Sequence, residues 1–111
     1  MSHTKEGQEL YAALLALNQS VFTQGLYEAA YHYLAAALHC TQAILNAQTA
    51  KAVEQLALAQ LRHIDQVAPE HKLSTKSVEA RHGLNLYQQL ARIAETEAQL
   101  FAKLGPPPFD E

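Results

Sequence analysis

Glu79 and His82, in the segment EARH, are the pair in this 111-residue chain best spaced for metal chemistry. Residues three apart lie on one face of an α-helix, so a carboxylate and an imidazole at that spacing can reach the same ion. Di-iron carboxylate bundles use Glu-x-x-His twice and add one Glu from each of two further helices. Here the spacing occurs once. A bundle could add Glu28 with His32, four apart, then Glu9 or Glu54, and His39 one heptad beyond His32. Solvated helices carry such pairs without any ion, so Glu79, His82, His32 and Glu28 stand as candidate ligands of a secondary reading, a metal- or small-ligand-binding bundle.

Other reactive groups are isolated. The six histidines are dispersed along the chain, which leaves zinc binding or pH sensing open without defining a site. His39 and Cys40 are neighbours, and adjacent helical residues point about 100° apart, a poor spacing for one ion. Cys40 lies mid-helix among alanines, where a thiol packs as a small apolar group unless a base activates it. Tyr27, Tyr31 and Tyr33 could line a pocket for a flat ligand, but aromatic residues at helical spacing more often fill a core with the hydroxyl at its edge. The sequence contains no glycine-rich phosphate loop, no metalloprotease helix signature and no Ser-His-Asp order in motif context. No enzyme activity and no cofactor are expected.

Charge and composition narrow the partners. The net charge is -3, and the eight Lys and Arg are scattered singly from Lys5 to Lys103, so no basic stripe offers itself to phosphates. Nucleic acid is not an expected partner. The longest nearly apolar windows, such as YLAAALHC, fall well short of the roughly 20 residues of a membrane span. The opening MSHTKEGQEL lacks the basic start and apolar run of a secretory signal, and one cysteine cannot close an internal disulfide, so a cytoplasmic setting is expected. The chain is 49% hydrophobic, mostly Ala and Leu with little Val or Ile, which is a helical composition.

The elements that must position these residues follow from periodicity. A first helix is expected from an N-cap at Thr4 to Thr23 or Gln24, stopped by Gly25, with Leu10, Leu14, Leu17 and Val21 at spacings of four, three and four, widened by Tyr11, Leu15 and Phe22 into one broad buried side. A second helix from Leu26 to Leu45 is apolar nearly all round and should be central. The capping residues Asn46 to Thr49 mark a break before a third helix, Thr49 to Ala68, which Pro69 ends. After the loop PEHK, Ser74 caps a fourth helix between Leu73 and Val78, a hydrophobic staple, and this helix should run to Leu104 before GPPPF stops it. Its apolar residues form two stripes: Leu86, Leu90, Ile93, Leu100 and Leu104, and beside them Leu84, Tyr87, Ala91, Ala94, Ala98 and Phe101.

Gly25, Tyr27, Ala30, Leu34 and Ala37 resemble the second half of a tetratricopeptide repeat, in which a small residue turns the chain between two antiparallel helices and small and aromatic residues let them pack closely. Leu14 and Leu17 suit the first half. Asn18 stands where the family usually has a small residue, and Gln42 where a proline usually closes the repeat. The resemblance covers about a third of the chain, with no second copy in register. It implies a single helical hairpin, whereas the peptide groove of the family needs about three repeats.

The expected architecture is all-α: an antiparallel four-helix bundle over residues 1–104, with a tetratricopeptide-like first hairpin, and an extended Pro-rich tail at 105–111. One neighbouring helix cannot cover both stripes of the fourth helix. A protein-contact or self-association module, paired as a homodimer or with another protein through Leu86, Leu90, Ile93, Leu100 and Leu104, is therefore the first functional reading.

Overall fold

The computed structural model describes residues 2–104, with side chains from Lys5 onward; the Thr4 side chain and the tail at 105–111 lie outside the described residues. Those residues form five α-helices and no strand: α1 (Ser2–Thr23), α2 (Tyr27–Ile44), α3 (Ala47–Val67), α4 (Thr75–Ala80) and α5 (Leu86–Leu104). None of these helices is long and apolar enough to cross a membrane.

Three of the four connections form as their residues imply. Gly25, at φ +82°, takes the left-handed conformation that ends α1, and the Gly25 and Leu26 amides donate back to the Phe22 and Val21 carbonyls at 2.9 and 3.0 Å. Leu45 ends α2 in the same region at φ 57°, and the Asn46 side chain then accepts from the Gln48 and Thr49 amides to cap α3. Helices α2 and α3 are therefore separate, and α3 begins at Ala47, two residues ahead of the expected Thr49. Ala68, pushed from helical geometry by Pro69, closes α3. At the other end of the chain α1 already runs from Ser2, so Thr4 lies inside the helix and is not its cap.

The expected fourth helix, Ser74 to Leu104, is two helices. Ser74 caps α4 through the Ser77 amide at 3.1 Å, with Leu73 and Val78 buried on either side of it, but α4 lasts only six residues. His82 turns left-handed at φ 55°, and the His82 and Gly83 amides bond to the Glu79 and Val78 carbonyls, the same two-bond closure that ends α1. Asn85 then caps α5 by accepting from the Gln88 amide, while its own amide group donates to the Leu73 carbonyl at 2.9 Å. The segment HGLN holds the break because Gly and Asn are poor helix-interior residues and good termini.

α1 packs antiparallel along α2, and α3 packs along α5. Tyr11, Asn18 and Phe22 of α1 meet Thr49, Gln60 and His63 of α3 in turn, so α1 and α3 run in one direction. By the same reasoning α2 and α5 are parallel, since Tyr27 and Thr41 meet Tyr87 and Glu97. The molecule measures 47 × 27 × 17 Å, two helices deep in its thinnest direction. Its core cluster draws on α2 (Tyr27, Leu34, Ala37, Leu38), α3 (Val53, Ala57, Leu61, Ile64), Leu73, and α5 (Tyr87, Leu90, Ala91, Ala94).

α1 lies against that core along one flank. The broad side expected to be buried is split: Tyr11, Leu14, Leu15 and Phe22 pack against the core, while Leu10 and Leu17 are 54% and 44% exposed and Val21 is half-buried. The one described residue of α1 that is fully enclosed is Asn18. Its amide donates to the Ala30 carbonyl at 2.7 Å and exchanges hydrogen bonds with the Gln60 side chain at 3.1 and 2.6 Å, so both amides are satisfied inside the protein. A buried, fully bonded Asn–Gln pair fixes the rotation of α1, because turning the leucines inward would strand both groups. Leu26, Leu45, Val67 and Leu84 lie at helix ends or in turns and are exposed.

Candidate functional site

The residues best spaced for metal binding do not form a donor set. Glu79 is exposed on the last turn of α4, and His82 has already left the helix in a left-handed turn, so the two no longer share a helical face. Glu28 and His32 are exposed on α2, where the His32 ring packs edge-on to Tyr31 at 5.2 Å. Glu28 is engaged by Lys72 at 2.7 Å, and this hydrogen bond, with the ammonium charge, holds its carboxyl below the ordinary value. The nearby His32 and His71 add to that lowering. Glu9 and His39 are exposed and Glu54 is half-buried. Among the described residues, no three His, Cys, Asp or Glu side chains gather closely enough to hold a metal ion.

His71 is the residue that sequence spacing did not mark. The loop after Pro69 sets its ring edge-on to Tyr27 at 5.1 Å, and its Nδ1 accepts from the Leu73 amide at 3.1 Å. Nothing in the linear order of PEHK points to α2; the pairing depends on where the loop folds back. Asp65, on the last turns of α3, joins the same corner by accepting from both the amide and the hydroxyl of Thr75 at 2.8 and 2.7 Å. These contacts tie the α3–α4 corner to α2 and organise structure.

The tyrosines are core and edge. Tyr27 is buried against Phe22 and His71, and Tyr87, wholly buried on α5, donates its hydroxyl to the Tyr27 carbonyl at 2.7 Å. Burial, with a smaller contribution from Tyr27, pushes the Tyr87 hydroxyl well above the ordinary tyrosine range. Tyr31 and Tyr33 are half-buried. Cys40 is half-buried too, and burial raises its thiol pKa, which disfavours the thiolate a nucleophile needs.

Two helix edges remain apolar at the surface. On α5, Leu90 is buried in the core and Leu86 half-buried against it, while Ile93, Leu100 and Leu104 are 51%, 52% and 64% exposed. A shallow open groove there is lined by Arg92, Ile93, Thr96 and Glu97. The Glu97 carboxylate lies in the same row and accepts from Thr41 and Gln42 of α2 at 3.1 and 3.4 Å. The second edge is the flank of α1 that exposes Leu10 and Leu17, and from Leu10 to Tyr27 the chain carries no charged residue. Interface centres are depleted of charge in this way, whereas solvated helix faces are rich in it. Comparisons with models of protein families, with curated proteins and with solved structures found no match to this chain.

Proposed function

We propose that this chain is a protein-contact module: an antiparallel helical bundle whose first hairpin is built like a single tetratricopeptide repeat, meeting another protein or a second copy of itself over its apolar helix edges. The observation that carries this reading is that Leu10 and Leu17 on α1, and Ile93, Leu100 and Leu104 on α5, each stand about half exposed or more, in rows and not singly. Isolated surface leucines are ordinary, and rows of them mark contact surfaces. The tetratricopeptide-like hairpin rests on the tight turn at Gly25 and the enclosed Ala30, Leu34 and Ala37, with Asn18 replacing close small-residue packing by a hydrogen bond to the Ala30 carbonyl. A reducing compartment such as the cytoplasm suits the lone Cys40.

Photo-crosslinking tests the reading. A benzophenone side chain placed at Leu17 or Leu100 in the cells that make this protein should give discrete adducts that are missing when it replaces exposed Gln55 on α3. Equal yields from all three positions would remove the contact surfaces and the reading with them.

A further inference from the structure

Resting on that reading, we infer that the α1 edge pairs with the α1 edge of a second copy, the two helices antiparallel about a two-fold axis between Leu15 and Ala16. Three observations converge on this occupant.

The first is spacing. The stripe Leu10, Leu14, Leu17 and Val21 is spaced four, three, four, which reads the same in either direction. A two-fold contact joins one patch to itself, so the patch must complement its own reverse. Reversing α1 about the stated axis sets exposed Leu10 opposite the half-buried Val21 of the copy, and exposed Leu17 opposite Leu14, whose inner side packs on its own core. The second is charge. The charged residues of α1 after Thr4, namely Lys5, Glu6 and Glu9, all precede Leu10. Antiparallel pairing lays them beside the uncharged stretch from Phe22 to Leu26 of the copy, whereas parallel pairing would set Glu6 against Glu6 and Glu9 against Glu9. The third is seating. Buried Asn18, bonded to Ala30 and Gln60, fixes which face of α1 looks outward, so the stripe is presented without rearrangement.

The α5 edge suits a second copy less well. Glu97 sits inside its row, and the register that joins Ile93 to Leu100 of a copy brings two Glu97 carboxylates side by side at the axis. The α1 contact spans about 17 Å of helix. That is too little for the roughly 800 Å² per partner of a standard interface, so the dimer is a weak, exchanging one.

Light scattering and cross-linking on the full chain test this. Apparent mass should climb toward twice the monomer value as concentration rises through the high micromolar range, and Leu10→Glu with Leu17→Glu should hold it at the monomer value. Both positions are exposed, and an unchanged melting temperature would show that the variant still folds. In a Cys40→Ala background, Ala13→Cys should be linked by a short bismaleimide, since its counterpart lies only about 7.5 Å along the axis, and Gln24→Cys should not, at about 25 Å. Linking of both positions would mean a parallel pair and overturn the arrangement. A strictly monomeric wild type at millimolar concentration would overturn the self-pairing while leaving contact with a different protein to the photo-crosslinking test. A dimer that survives the Leu10 and Leu17 substitutions and is linked through Ala102→Cys on α5 would also sink the α1 assignment, while supporting the contact-module reading.

Discussion

Tyr87 adds a buried link between the two halves of the chain, its hydroxyl donating to the Tyr27 carbonyl 60 positions away. Tyr87→Phe keeps the ring and removes the bond, and should cost about 1 kcal/mol in urea denaturation at pH 7. The pH dependence has a definite sign. Folding raises the Tyr87 hydroxyl above its ordinary value of 10.0, so its contribution is complete below that pH and is lost as pH rises toward the folded value. Tyr11, donating to the Thr49 carbonyl and also raised by burial, behaves alike and is kept in both proteins. The gap between wild type and Tyr87→Phe should therefore narrow between pH 9 and pH 11; a constant gap would mean that the hydroxyl is not titrating from a buried, bonded state. Individual residues of this kind were the least readable from the sequence. EARH carried a metal spacing that required a continuous helix, while Asn18, which looked like a flaw in a tetratricopeptide pattern, is the enclosed anchor of α1.

The helices themselves were readable wherever a terminus carried its own chemistry. Gly25, Asn46, Pro69 and Ser74 each act locally, and each turn or cap stands where those residues require it. The break at His82 was obscured because the apolar period continues across it, from Val78 to Leu86, and periodicity alone does not register a left-handed residue. His82 occupies the position that Gly25 fills in the first hairpin, at φ 55° with a side chain. His82→Gly should thus raise stability by about 0.5–1 kcal/mol, the relief of left-handed strain exceeding the added freedom of the unfolded chain. A thermal melt reads it as a rise of a few degrees. A lower melting temperature would show that the imidazole makes a stabilising contact of its own. For α1 the broad apolar side was readable but its exact rotation was not, because the Leu10–Leu17 flank and the Tyr11–Phe22 flank are both apolar enough to be buried and only the second packs on the core. A polar pair contributed by two distant helices decides between them, and only Asn18 hints at it in the linear order.

Considered as one body, the protein has a core shared by α2, α3 and α5, with α1 laid against it and secured by Asn18 and Gln60. Helices with few enclosed side chains open locally at lower free energy than those in the core. Hydrogen exchange should therefore find the amides of α1 replaced sooner than those of mid-α3, and Gln60→Leu should speed α1 further by leaving Asn18 half-bonded. Uniform protection across both helices would show that α1 unfolds only with the rest. A helix that lifts away alone turns its hidden side to solvent, exposing Tyr11, Leu15 and Phe22 together with the alanine-rich flank of α2. The seat vacated by one copy's α1 is shaped to receive the same segment from a neighbour, and Gly25 is the natural pivot. Crowded or partly denaturing conditions should thus favour helix-for-helix exchange of that N-terminal arm, a route to long-lived oligomers distinct from surface pairing.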